Sequence, residues 1–510
     1  MLTVAVVVVA LASAGVADYR WLRVMQREHY IPGECLTVAL RWARKRPPNQ
    51  VLALVMGAAA LLALAGRPAA VAGAASLVAA AGAAVFPVAM PVVSQEQRLV
   101  RTARLRRLAV GCLLLEVLLA GGLLWLGIPA ALGALAVLVP VIVDGAAFIV
   151  RPVETRLARQ YRVAAEAKLE RVAPTVVAIT GSYGKTSTKN HVRDLIAGRF
   201  DVVASPASWN NAAGLSRTVN EHVGADTQVL VAEMGTYGVG EIRRMCSWVK
   251  PEIGIITAIG PMHLERMKTL DTVVRAKSEL LEGVRVAILN VDDDRLAQVA
   301  SSLPGAEVWR CGTHRQPGLD VSLERDDGTV IVRYRGTEIG RFASRPELHL
   351  ANVACALAAA FVLGAPPAET VARVSQLSVA EHRAVQGTSD RGLVVIDDTY
   401  NSNPSGARHA LELLESAVPG PARRVVITPG MVELGPCQDE ANQTFAEAVA
   451  KADATLVVVG WTNRQALLAG ARHGETITVP TRAAAREWVR STLTPGDGVL
   501  WENDLPNHYP

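Results

Sequence analysis

Five apolar runs crowd the first 150 residues, at about 1–17, 51–66, 69–93, 108–127 and 129–150. A backbone surrounded by such side chains finds no water for its N–H and C=O groups, and a helix is the local structure that satisfies them internally. A bilayer core takes roughly 20 apolar residues per helix. The last three runs reach that length easily and the first two fall short of it. The opening run also suits a signal peptide, but it has no basic start, and Asp18-Tyr19-Arg20 follows with no cleavage pattern. The spacing predicts an all-α transmembrane domain of about five helices over residues 1–151.

The loops between the runs orient it. Residues 18–50 carry seven Lys or Arg, among them Arg44-Lys45-Arg46, and residues 94–107 carry five. The links near Arg67-Pro68 and Gly127-Ile128 are short and nearly uncharged. Basic loops stay in the cytosol, so five crossings place the N-terminus outside and everything after Arg151 inside. That is a multi-pass arrangement in the cytoplasmic (inner) membrane. The chain of 510 residues carries +5, yet residues 1–150 hold 13 Lys/Arg against 6 Asp/Glu, and the remaining 360 hold 39 against 41. A basic excess confined to the apolar part argues for membrane topology and against a nucleic-acid partner. The six cysteines (Cys35, Cys112, Cys246, Cys311, Cys355, Cys437) are scattered, with no Cys-x-x-Cys pair. That argues against a disulfide framework or zinc site and fits a reducing compartment.

Two acids, Glu116 and Asp144, interrupt the apolar runs. At about 1.5 Å per residue, both lie roughly 9–12 Å from the cytosolic helix ends. Intramembrane charge is costly and marks function by default. The plainer alternative is a protonated or hydrogen-bonded packing pair.

After a charged, helix-like connector (152–171), strand and helix alternate. Val176–Thr180 is a β-branched run, Gly181-Ser182-Tyr183-Gly184-Lys185-Thr186-Ser187 follows, and a helical stretch runs from about Thr188 to Ala197. In that order, glycines let backbone N–H groups approach phosphate oxygens and the helix N-terminus adds partial positive charge. Lys185 would neutralise the β/γ-phosphates and Thr186 would ligate Mg²⁺. The eight-residue phosphate-loop pattern needs a glycine where Ile179 stands, so what is present is the shorter Gly-x-x-Gly-Lys-Thr. Downstream, Val229–Gly235 reads as a buried strand carrying Glu233, Ile255–Gly260 as another with His263 just past it, and Lys277 falls on the next helix. Ligands bind beyond the strand C-termini of open parallel sheets, so Glu233 and His263 would face the loop. Singly, such residues are more often a solvated acid and a hydrogen-bonded cap; the ordered set carries the signal.

The series resembles the Mur ligase family, ATP-dependent amide-forming enzymes of cell-wall precursor synthesis, and within it the branch that adds D-alanyl-D-alanine. The likeness spans roughly residues 172–465. It rests on Thr180–Ser187, Asn210-Asn211 with Gly214, Glu233-Met234-Gly235 with Gly238, Gly240 and Glu241, His263-Leu264-Glu265, Ala276-Lys277, Asn290-Val291-Asp292-Asp293, and Asn352 before an alanine-rich helix. The most specific stretch is Asp397-Asp398-Thr399-Tyr400-Asn401-Ser402-Asn403-Pro404, nearly the family's Asp-Asp-Ser-Tyr-Asn-Ala-Asn-Pro. The resemblance implies that Gly181, Ser182, Tyr183, Gly184, Lys185, Thr186 and Ser187 hold ATP. It implies that Thr186, Glu233, His263 and Lys277 serve Mg²⁺, Lys277 as a carbamate that turns a cation into an anionic oxygen ligand. Lys185, Glu233, His263 and Lys277 form the catalytic group. Asn290 and Asp292 would lie near the adenine, while Arg383, Asp398 and Asn401 would reach the nucleotide from the last domain.

The implied fold class is α/β. A phosphate-loop-type central ATPase domain with a mostly parallel sheet (172–382) precedes a Rossmann-like C-terminal domain (383–510). Strands of the latter are read at Leu393–Ile396, Arg424–Thr428, Thr455–Val459 and Gly498–Trp501, with helices such as Ala407–Ser416 and Glu440–Ala450. The implied chemistry is carboxylate activation. The substrate carboxylate attacks the γ-phosphate of ATP to give an acyl phosphate and ADP, and an amine then displaces phosphate to form the amide.

Departures from the family pattern bear on substrates. His382 stands where a glycine precedes the family arginine, and Asn442 where a histidine is expected. His349 is one residue too near Asn352, and Thr428–Gly435 and the tail from Glu502 also differ. These leave the amine open between amino acids and dipeptides. The apolar segment also stands where the family has a soluble domain for the UDP-sugar, which predicts an acyl donor that is lipid-linked or held differently at the bilayer surface. Equal activity of residues 152–510 and the full chain on a soluble UDP-linked donor would contradict this. Other products that suit the motifs are a poly-γ-glutamate-type polymer and a peptide natural product. A membrane ATPase coupled to transport is disfavoured by the 397–404 motif and the few helices. A scaffold without catalysis is disfavoured by intact Lys185, Thr186, Glu233, His263 and Lys277.

Overall fold

The computed structural model describes residues 2–66, 68–93, 99–314, 316–378, 385–399, 402–505 and 508–509. They fall into two compact units, Met1–Leu157 with Gly460–Thr462 and Leu505–Pro510, and Ala158–Val459 with Asn463–Asp504.

The first unit is helical. Its helices are α1 (Leu2–Arg27), α2 (Glu34–Lys45), α3 (Pro47–Ala65), α4 (Ala69–Val85), α5 (Ala103–Trp125) and α6 (Leu132–Val172), the last running on into the second unit. Four of these helices, α1, α3, α5 and α6, are long and apolar enough to cross a membrane. The run at 69–93, ample by composition, yields a helix of 17 residues. It stops because Pro87 lacks an N–H and pushes Phe86 out of the helical region, to φ −72° and ψ 134°. The basic stretch 18–50 is largely helical. Cys35, Val38, Ala39 and Trp42 of α2 fall on one buried face, the i, i+3, i+4, i+7 spacing of an amphipathic helix.

Glu116 and Asp144 are not each other's partners. Glu116 faces Asp18 of α1 through a side-chain hydrogen bond. Asp144 caps α2: its Oδ1 accepts from Cys35 N at 3.2 Å and its Oδ2 from Leu36 N at 2.9 Å. Helix α2 begins after Gly33, which has no side chain to take its orphan N–H groups. A carboxylate from α6 supplies both the acceptors and the favourable charge.

The second unit contains two sheets. The nine-stranded sheet comprises β1 (Thr175–Thr180), β2 (Val202–Ala204), β3 (Val229–Glu233), β4 (Ile253–Ile256), β5 (Val286–Asn290), β6 (Glu307–Gly312), β7 (Val321–Asp326), β8 (Thr329–Tyr334) and β9 (Thr337–Ala343), in the order β2-β3-β1-β4-β5-β6-β7-β8-β9. Pairing is parallel from β2 through β7 and antiparallel from β7 to β9. Strands β3, β4 and β5 are buried along their whole length, which is why β3 and β4 read as apolar runs; β5 went unread. Because β1 lies between β3 and β4, the crevice for ligands opens at its carboxyl end. The antiparallel ribbon β7–β9 had no counterpart among the expected strands. It buries Val321, Leu323, Val330 and Val332 on one face.

The six-stranded sheet comprises β10 (Val385–Thr388), β11 (Val394–Asp398), β12 (Arg424–Thr428), β13 (Ala454–Val459), β14 (Thr476–Val479) and β15 (Gly498–Glu502), ordered β10-β11-β15-β12-β13-β14. All pairs are parallel except β10–β11. The four strands read from the sequence lie within two residues of β11, β12, β13 and β15. The edge strands β10 and β14 were not among them.

Candidate active site

Strand β1 runs directly into the glycine loop, and the loop into the helix Lys185–Ile196. Gly184 has φ +78°, and a Cβ there would lie 2.2 Å from Asn352 Oδ1. Only glycine gives the loop that turn with the Asn352 amide pressed against it. The loop is braced from the end of β4: Ser182 N donates to Ala258 O at 2.8 Å, and Gly260 N donates to Ser182 Oγ at 2.9 Å. Lys185 folds back so that Nζ donates to Gly181 O at 2.7 Å. Its charge thus sits on the loop itself.

Next to the loop is Glu233, 1% exposed at the end of β3. Thr186 Oγ1 donates to its Oε2 at 2.9 Å, and Asn210 Nδ2 donates to its Oε1 at 3.0 Å. Lys189, absent from the expected set, is also buried and places Nζ 3.4 Å from Glu233 Oε2. It is four residues after Lys185, hence on the same helix face, which is the signal that could have found it. Thr186 Oγ1 and Glu233 Oε2 are spaced like adjacent corners of a Mg²⁺ octahedron, whose oxygens at about 2.1 Å from the metal stand about 3 Å apart. Among the described residues no cluster of three or more His, Cys, Asp or Glu side chains is arranged for a metal. The Thr186–Glu233 pair fits a Mg²⁺ that takes one or two protein oxygens and the rest from phosphate and water.

His263 (φ +59°) directs Nδ1 to Glu433 Oε2 at 2.6 Å, and its ring meets Tyr237 edge-on at 4.7 Å. Among the described residues no hydrogen bond or ion pair joins it to Glu233. Glu433 belongs to the loop after β12, so this contact links the two sheets' lobes. Lys277 is 2% exposed on the helix Leu270–Ser278. Burial, and then the neighbouring Lys185 ammonium, hold its amine well below the ordinary lysine range.

A cleft of about 340 Å³ brings Tyr183, Gly184, Asn290 and Asp292 together with Asp398 and Asn403 of the second sheet. Asn290 Nδ2 donates to Thr257 O at 3.0 Å, and Asp292 accepts from Thr313 N at 2.8 Å. His349 and His409, outside the expected site set, also line the cleft with ring centroids 6.3 Å apart. Burial lowers the pKa of both, so both favour the neutral form. Arg383 and Asn401, with His382 and Tyr400, lie outside the described residues.

The carboxyl ends of β11, β12 and β15 converge. Glu502 is fully buried, accepts from Ser402 Oγ and Thr428 Oγ1, and pairs in register with Asp398. Burial pushes it up to about 8. With the folded value raised, the stability that protonated Glu502 lends is complete below about 4.5 and is lost as the pH climbs through about 8. Glu502→Gln is expected to flatten the decline of Tm over that window; an unchanged decline in thermal unfolding curves would contradict the assignment. Asn442 is likewise structural. Its Oδ1 accepts from Met431 N at 2.8 Å and its Nδ2 donates to Met431 O at 3.0 Å, pinning the loop that presents Glu433.

A strand-borne phosphate loop facing a second α/β lobe defines a two-lobed nucleotide-dependent enzyme. The Mur ligase middle domain family matches residues 179–361, and the Mur ligase glutamate ligase domain family matches residues 382–502. The UDP-N-acetylmuramoyl-tripeptide–D-alanyl-D-alanine ligase of Mycobacterium leprae (strain TN) is 33% identical over 364 residues, covering 64% of this chain and 70% of its own. The chain belongs to the Mur ligase family and is an ATP-dependent amide-bond ligase.

Within the family the likeness is to MurF. The ligase of the same name from Bacillus subtilis (strain 168) is 28% identical over 54% of this chain; the chain spans 60% of that relative. MurF from Acinetobacter baumannii superposes with a TM-score of 0.58 at 23% identity, over 68% of this chain and 78% of that one. MurF ligase from Thermotoga maritima in complex with ADP gives 0.57 at 21%, over 68% and 80%. At such identities the structural likeness is one of fold.

Proposed function

We propose that this ligase activates a carboxylate of a cell-wall precursor with ATP and joins it to D-alanyl-D-alanine, working at the inner face of the membrane. The observation that carries the reading is the cleft in which Tyr183 and Gly184 of the phosphate loop meet Asn290, Asp292 and Asp398. Asn290 and Asp292 would hold the base of ATP there, and Lys185 its terminal phosphates. Thr186 and Glu233 would hold Mg²⁺, which neutralises phosphate charge when bound. The transferring phosphoryl group carries diffuse negative charge, and Lys185 meets it with a fixed positive charge. His263 and Glu433, joined across the lobes, hold them closed over the acyl phosphate, excluding water. The relatives' names supply the dipeptide. Amine-dependent release of phosphate is the expected behaviour, with hydroxylamine trapping the activated carboxylate as a hydroxamate. Phosphate release indifferent to every amine tested, with no hydroxamate, would contradict the reading.

Membrane placement is supported by the outer faces of α1 and α5. Val4, Val8, Leu11, Leu113, Leu114, Val117 and Leu118 are all exposed, more apolar surface than a soluble monomer ordinarily shows. The full chain is expected to stay with membranes through alkaline carbonate washing; release into the supernatant would contradict the placement.

A further inference from the structure

Helix α1 carries Arg20 and Arg23, three positions apart and so on one face, each 3% exposed. Both grip the segment that follows α4, Arg20 Nη1 donating to Phe86 O and Arg23 Nη2 to Pro91 O. Asn49 of α3 holds the same segment, its Oδ1 accepting from Val88 N at 2.8 Å. These bonds leave three buried donors unused. Arg20 Nε, Arg23 Nη1 and Asn49 Nδ2 have no partner among the described residues.

Carbonyls accept hydrogen bonds without cancelling charge, and among the described residues neither guanidinium has a carboxylate partner. Among the described residues of this unit, other acids have partners of their own. Asp18 faces Glu116, Glu28 Oε1 lies 2.9 Å from His508 Nε2, Asp144 caps α2, and Glu154 pairs with Arg107. Two buried positive charges without a counter-charge are expensive. Buried donors on two guanidiniums and an amide, with no acceptor facing them among the described residues, match the oxygens of a phosphate group. Depth points to its source. Arg20 stands 18 residues beyond Leu2, about 27 Å along the helix at about 1.5 Å per residue. That is near the edge of a hydrocarbon core roughly 30 Å thick, where headgroup phosphates lie.

We propose that Arg20, Arg23 and Asn49 form a binding site for the phosphate group of an anionic lipid in the inner leaflet. The proposal rests on the membrane placement argued above. The test uses the full chain in nanodiscs of phosphatidylcholine, with and without phosphatidylglycerol, reading lipid retention by native mass spectrometry and thermal unfolding. Phosphatidylglycerol is expected to be retained and to raise Tm. The Arg20→Gln/Arg23→Gln variant should lose about tenfold or more in affinity as its charge-assisted bonds go, while Arg27→Gln, at an exposed position of the same helix, should not. If the double glutamine variant fails to fold, Arg20→Lys/Arg23→Lys keeps the charge and should still bind several-fold more weakly, having lost the planar fork. Retention unchanged in the variants would overturn the site. Protection by inorganic phosphate with none from phosphatidylglycerol would overturn the lipid as its source. Carbonate washing of the same preparations separates the two claims: a chain that stays in the membrane yet ignores phosphatidylglycerol refutes the site alone, and one that washes off refutes the placement.

Discussion

Lys185→Ala is expected to lower turnover by about 10³-fold or more, the scale on which loss of a preorganised charge at the reacting group is felt. The side chain is placed for this and for little else. Its Nζ bridges Gly181 O at 2.7 Å and Ser182 O at 3.4 Å, so the ammonium is clasped by the loop that surrounds the phosphates. Removing it should spare the fold. Lys185 is the first residue of its helix, and alanine is the best helix former there. The expected pattern is therefore a collapse of kcat with a near-native circular dichroism spectrum and melting curve. A variant that retains a tenth of wild-type turnover would remove Lys185 from the chemistry.

The second large effect is expected at Lys277. Burial, and then the Lys185 ammonium beside it, hold this amine well below the ordinary lysine range and so favour its neutral form. A neutral amine is a nucleophile. With CO₂ it would form a carbamate, losing one proton and gaining two oxygens that share one negative charge, a product attracted to Lys185 where the ammonium was repelled. Lys277→Ala should cost on the order of 10²-fold in activity if those oxygens help hold the metal, and added acetate or formate should restore part of it. A ¹³C resonance from ¹³CO₂-treated wild type, absent in the variant, reports the carbamate independently of activity. Loss of activity without rescue and without that resonance would leave Lys277 a structural lysine.

What the sequence made legible follows from chemistry that is local. Strands buried on both faces announce themselves as apolar runs, so β1, β3, β4, β12, β13 and β15 were readable, and with them the position of the loop at Gly181 and of Glu233 at a strand end. What it hid depends on residues far apart in the chain. Lys189 acquires its meaning from Glu233, 44 positions later. Glu502 is raised by burial among Ser402 and Thr428, and the His349–His409 pair exists only once two lobes face each other. Asn442 looked like a departure near the amine site, yet both ends of its amide are spent on Met431. Helix α2 was concealed inside a basic stretch because its buried face is only four residues wide. Asp144 shows the same limit: an acid in an apolar run proved to be the cap of a helix more than 100 residues earlier.

The most direct test follows one oxygen atom. If the carboxylate attacks the γ-phosphate, an acyl donor labelled with ¹⁸O in its carboxyl group must pass one labelled oxygen to the inorganic phosphate released as the amide forms. Phosphate carrying a single ¹⁸O, measured by mass spectrometry, is the predicted result. Unlabelled phosphate released in step with the amide would mean that the carboxylate is never phosphorylated, and the reading of the cleft would be wrong.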